Sequence, residues 1–166
     1  LENYWRAIIL FGKNTASYKF ALAKSLIDVS LDRKSDLITL DDLALPYALH
    51  LAEHLKHSPK QSTFKTSQFI QACQEYNEGK IDEDKLIQIT KKEGFKYVLD
   101  AFHVVNTKAI QERFYDVVNK EFFIDERKFN EGIRLTDNLF KLFYLYDNSA
   151  KDLNQETCLL YTSPSP

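Results

Sequence analysis

The sequence predicts a mainly α fold, a multi-helix domain with one β-hairpin near the C-terminal end, and three observations lead there. Apolar residues recur at helical spacing, as in Ala16, Phe20, Ala23 and Ile27. Glycines stand where apolar runs stop (Gly12, Gly79, Gly94), and hydroxyl or carboxylate residues stand where they start (Thr39, Ser67, Asp82). After Asn119 the texture changes to short β-type runs around Asn130 and Gly132.

Taken in order, Asn3 to Phe11 is an apolar, aromatic helix stopped by Gly12. Thr15 or Ser17 caps a second helix running to about Val29, and the polar stretch Asp28 to Asp36 reads as a connector. Thr39, followed by Asp41 and Asp42, starts a helix to about His57, because carboxylates sit well at the positive end of the helix dipole. Pro46 is tolerable in it only near the first turns. Ser58 to Ser67 reads as a loop. Helices then run from about Ser67 to Glu78, from the Asp82 cap to about Glu93, and over Phe95 to Val105. Phe122 to Ile124 and Ile133 to Leu135 are expected to pair as the hairpin, after which Thr136 and Asp137 cap a last helix through about Tyr146.

This order divides the chain into a helical domain over 1–119, a hairpin and helix over 120–146 packed on the same domain, and a linker over 147–157 leading to a further C-terminal module. Residues 158–166, Cys-Leu-Leu-Tyr-Thr-Ser-Pro-Ser-Pro, resemble a transposase-type sequencing adapter translated in one frame. The segment carries no charge and holds two of the four prolines; a natural Ser/Pro tail is the competing reading. On the adapter reading, Cys158 carries no chemistry and the natural chain continues past about Thr157. With no methionine present, Leu1 reads as an unusual start or a cut end.

A length of 166 residues suits one domain or one domain plus part of a second, and a hydrophobic share of 44% with 13% aromatics is enough for a core. The net charge of −2 excludes a surface that grips nucleic acid all round, although it leaves room for a local basic patch. No apolar run is long enough to span a bilayer, so no membrane partner is expected. Setting Cys158 aside, the single thiol Cys73 forms no internal disulfide, which suits the cytoplasm. Cys73 sits mid-helix, with no basic neighbour to acidify it, and reads as packing.

His50-Leu-Ala-Glu53-His54 has the H-x-x-E-H arrangement of the inverted zinc peptidases. Two histidines at i and i+4 share a helix face and suit one zinc, Glu53 suits a water-activating base, and Glu131 stands where a third ligand would be sought. The plainer reading, a polar helix face that carries His50, His54 and His57, is preferred, because such peptidases set this helix in a large α+β domain and no run of strands precedes it here. Asp100-Ala-Phe-His103-Val-Val-Asn106 has the start of a His-Asn-His nuclease pattern but lacks the second histidine, so it reads as a helix face.

Lys56, Lys60 and Lys65 lie in a loop rich in hydroxyls, a composition suited to a phosphate backbone. The competing reading is a solvated loop. If the helices after Asp82 and the hairpin formed a winged helix, Arg127 and Lys128 would sit on its wing, but the second helix is poorly dressed for a DNA groove. No catalytic set is read in this chain.

Several runs together resemble a family of bacterial HNH endonucleases with an implied restriction or defence role. They are Asn3-Tyr-Trp-Arg-Ala-Ile-Ile-Leu-Phe-Gly12, Ser17-Tyr-Lys-Phe-Ala-Leu-Ala-Lys-Ser25, His50-Leu-Ala-Glu-His-Leu-Lys56, Asp100-Ala-Phe-His-Val-Val-Asn106, Phe123-Ile-Asp-Glu-Arg-Lys128 and Gly132-Ile-Arg-Leu-Thr-Asp137. The resemblance implies an N-terminal accessory region that positions DNA, binds a partner protein or forms a homodimer. It also implies a nuclease module further along the parent protein, with a divalent metal and a water-activating histidine. The remaining alternatives are a non-enzymatic helical interaction module and the zinc hydrolase on His50, Glu53 and His54.

Overall fold

The computed structural model describes residues 1–11, 16–31, 36–57, 67–118, 132–145 and 154–159. The fold is mainly α, with a small antiparallel sheet near the C-terminal end. Its framework is two long helices, α2 (Ala16–Leu31) and α3 (Leu40–His57), packed side by side. Ala21, Leu22, Ala23, Ser25, Leu26 and Ile27 of α2 are all buried, so this helix is apolar on nearly every side and sits centrally. Its two buried hydroxyls are satisfied within the helix, Ser25 donating to the Ala21 carbonyl at 2.7 Å and Ser30 to that of Ile27 at 2.8 Å.

Helix α3 buries a double stripe. Ala44, Ala48 and Ala52 form a narrow row that allows close approach, and Leu43, Tyr47, Leu51 and Leu55 form a bulky one beside it. These rows pack against α2, α4 (Gln68–Asn77) and α5 (Glu83–Ile89). Pro46 falls in the second turn of α3, which continues past it. Helix α1 (Glu2–Leu10) lies on α2 and sends Trp5, Ile8 and Ile9 into the core. Trp5 meets Phe102 and Phe114 edge-on, at centroid distances of 6.1 and 5.2 Å.

Several boundaries differ from the expectation. Helix α2 runs to Leu31, into residues read as a connector. Leu37–Thr39 is a strand, β1, and the Thr39 hydroxyl that ends it caps α3 by accepting from the Asp42 amide at 3.1 Å. The helix expected over Phe95 to Val105 shrinks to α6 (Val98–Ala101). Its apolar spacing is real, since Phe95, Val98, Leu99 and Phe102 are all buried. However, a π-helical turn (Thr90–Gly94) precedes it, and β-branched Val104 and Val105 follow as strand β2. Strand β2 pairs with β3 (Lys108–Ala109) through Asn106 and Thr107, which have positive φ of 50° and 69°.

Gly132–Leu135 is a strand, β5, as expected, but its partners are not Phe122 to Ile124. It pairs antiparallel with β4 (Tyr115–Val118) on one side and with β1 on the other, and Ile133 faces Val117 and Ile38. Both its edges are therefore taken, while 119–131 lie outside the described residues. Helix α7 (Asp137–Leu145) follows, with Leu139 and Leu142 buried. Of the stretch read as a linker, 154–157 are helical, and α8 (154–159) meets α1: the Trp5 indole donates to the buried Thr157 hydroxyl at 3.0 Å, and Arg6 pairs with Glu156 at 3.0 Å. Cys158 accepts from the Lys24 ammonium at 3.3 Å.

Candidate functional site

The π-helical turn builds a cleft. Asp82 starts α5 by accepting from the Lys85 amide at 2.8 Å. Two hydroxyls engage carbonyls at the far end: buried Thr90 donates to Leu86 at 2.7 Å, and Tyr47 of α3 donates to Gly94 at 3.1 Å. The Leu86 carbonyl accepts from both the hydroxyl and the amide of Thr90, and the turn that follows is π-helical. Gly94 is needed there because a Cβ would come within 3.2 Å of the Phe69 ring and 3.1 Å of the Thr90 methyl. Phe95 then stacks on Tyr47 at 5.0 Å, and the chain leaves Lys96 and Tyr97 outside.

Tyr97 is 78% exposed, the most exposed large apolar side chain among the described residues. Lys96 pairs with Glu93 at 2.9 Å, and this hydrogen bond and charge hold the ammonium above its ordinary pKa. The facing wall is Tyr18 of α2, stacked on buried Phe69 at 6.0 Å with its hydroxyl 2.9 Å from Ser67 Oγ. Ser67 also caps α4, accepting from the Ile70 amide at 3.1 Å. Together with Gln68, Gly94 and Val98 these residues enclose about 460 Å³. The cleft thus offers an exposed aromatic face, an ammonium–carboxylate pair and neutral hydrogen-bonding groups.

A second polar cluster is closed. His103 is fully buried among Phe102, Phe114 and Tyr115, and its Nε2 accepts from the Phe114 amide at 3.0 Å. That bond places the proton of the neutral ring on Nδ1, which has no partner among the described residues. Burial, with the charges of Arg113 and Lys19, pushes its pKa down to about 3. Lys19 is buried as well and donates to the Val104 carbonyl at 2.8 Å; burial lowers its pKa. The cluster fixes the β2–β3 hairpin to α2.

The residues singled out in the sequence are dispersed. His50 bonds Asp28 of α2 at 2.5 Å, and His54 lies against Phe20 at 5.7 Å, its pKa lowered by burial and then by the charge of His57. Glu53 faces solvent and pairs with His57 at 3.1 Å and Lys56 at 3.3 Å. Those partners hold its carboxyl below the usual range. Among the described residues, no three His, Cys, Asp or Glu side chains come together as metal ligands. Glu131, Lys60, Lys65, Arg127 and Lys128 lie outside the described residues. Lys56 is exposed at the end of α3. Cys73 is buried, and burial pushes its thiol up to about 12, so it stays protonated.

Sequence reasoning missed Tyr18, Glu93, Lys96 and Tyr97. The one legible signal was the polar-aromatic pair Lys96-Tyr97 directly after Gly94-Phe95, out of step with the buried positions around it. No helix among the described residues is long and apolar enough to cross a membrane. No family model, curated protein or solved structure matches this chain.

Proposed function

We propose that this chain is a DNA-positioning accessory region of a metal-dependent HNH endonuclease, with the nuclease chemistry held by residues other than those of this sequence. The observation that carries the reading is the pair of described residues that flank the lysine-bearing segment in the chain. Its two flanks belong to the described fold: α3 ends at His57, next to exposed Lys56, and the fold resumes at Ser67, which lines the aromatic cleft. Lys60 and Lys65 lie between these points in the chain. Lysines that alternate in the sequence with neutral donors suit a phosphate backbone, and the exposed ring of the cleft suits a base. The charge of −2 is compatible with such a localised contact.

The test is DNA binding by fluorescence anisotropy over a salt series. Replacing Lys56, Lys60 and Lys65 together with alanine is expected to weaken binding and to lower the salt slope by about one per lysine that touches phosphate. An unchanged binding curve overturns the reading. The parent protein is expected to cut DNA only when a divalent metal is supplied; DNA binding with no metal-dependent cleavage favours an interaction module instead.

A further inference from the structure

We infer that the cleft beside the π-helical turn takes one unstacked nucleotide of single-stranded DNA, and that it favours bases bearing an exocyclic amino group. This rests on the DNA-positioning reading and names the form of DNA that the cleft holds. Three features lead to it. The first is size: about 460 Å³ lies within the ~300–1,000 Å³ of small-ligand sites, so it admits a single nucleotide but no duplex.

The second feature is the Tyr97 ring. It is 78% exposed at the cleft, whereas the neighbouring Phe95 and Phe69 are buried. An aromatic face held out in water by a rigid turn is a stacking platform, and only a base free of its duplex neighbours can offer a face to it. Rigidity comes from beneath, through Phe95 stacked on Tyr47 and Tyr47 bonded to Gly94.

The third feature is Glu93. Its side chain is only 17% exposed, and one carboxylate oxygen, Oε2, holds the Lys96 ammonium at 2.9 Å. No described residue donates to the other oxygen. A fixed carboxylate oxygen accepts from an exocyclic amino group such as that of cytosine, and thymine has none. The half-exposed Lys96 supplies the positive charge for the adjoining phosphate.

The experiment measures binding of the full chain to labelled oligonucleotides of about ten nucleotides, a length within the span of single-strand sites. The probes are oligo-dC, oligo-dT and a mixed duplex. Single strands are expected to bind more tightly than duplex, and oligo-dC more tightly than oligo-dT. Tyr97→Ala, a surface change that should leave the unfolding midpoint in place, is expected to weaken single-strand binding by about 5- to 100-fold. Glu93→Met is expected to bring oligo-dC and oligo-dT to the same affinity. Equal binding of duplex and single strand that Tyr97→Ala leaves unchanged overturns this inference and spares the broader reading. A dC-to-dT ratio that Glu93→Met does not alter overturns the base preference. Binding of neither form overturns both the inference and the reading beneath it.

Discussion

The phenol of Tyr47, in the middle of α3, donates a 3.1 Å hydrogen bond to the carbonyl of Gly94, the last residue of the π-helical turn. This bond ties the central helix to the rim of the cleft. Tyr47 is fully buried, and burial raises its pKa well above the ordinary value, so the phenol remains a donor across the physiological range. Tyr47→Phe leaves the ring packing in place and strands a buried carbonyl. The expected loss is about 1–2 kcal/mol, read from urea denaturation. An unchanged midpoint would show that the turn holds itself.

Gly94→Ala tests the close approach from the other side. The new methyl would meet Phe69, whose ring is clamped between Tyr18 and Tyr47 and has little room to retreat. Strain from overpacking should outweigh the gain in chain stiffness, for a net loss of about 1 kcal/mol. Because Phe69 also supports Tyr18, ligand binding in the cleft should fall with it. A variant more stable than the parent chain would contradict this packing.

His103 predicts an acid-sensitive fold. Its pKa falls from 6.5 in the unfolded chain to about 3 in the folded one, so the native state favours the neutral ring. Between those values the unfolded chain binds the extra proton. The contribution to stability is complete above pH 6.5 and is lost as pH falls toward 3, with a slope of up to about 1.4 kcal/mol per pH unit. His54, also lowered, acts in the same direction. Denaturation titrations from neutral pH downward should show this slope, and His103→Gln should flatten it. An equal slope in the variant would assign the effect to other groups.

Thr107 holds a φ of +69° in the β2–β3 turn, a conformation that a β-branched residue adopts at a cost. Its neighbour Asn106, at +50°, suits the same turn much better. Thr107→Gly is expected to raise stability by about 1 kcal/mol in thermal unfolding. A fall would show that the Thr107 hydroxyl, which bonds the Asn106 carbonyl at 2.6 Å, outweighs the strain.

What the sequence determined by itself is local. Apolar spacing, the Ser67 and Asp82 caps and Gly79, at a φ of +74°, mark helices because each acts within one or two turns of chain. The helical class could therefore be read directly, and so could the strand at Ile133 to Leu135. Tertiary structure decided what depends on residues far apart. Strand β1 exists only because β5, about a hundred residues later, pairs with Leu37 to Thr39. The run from Phe95 to Val105 breaks because Tyr47 captures the Gly94 carbonyl at the end of the turn before it and a hairpin follows. The cleft belongs to the same category: Tyr18 and Tyr97 become neighbours only after α2, α4 and the π-helical turn pack on α3, and a chemistry made of separated side chains leaves no spacing to read.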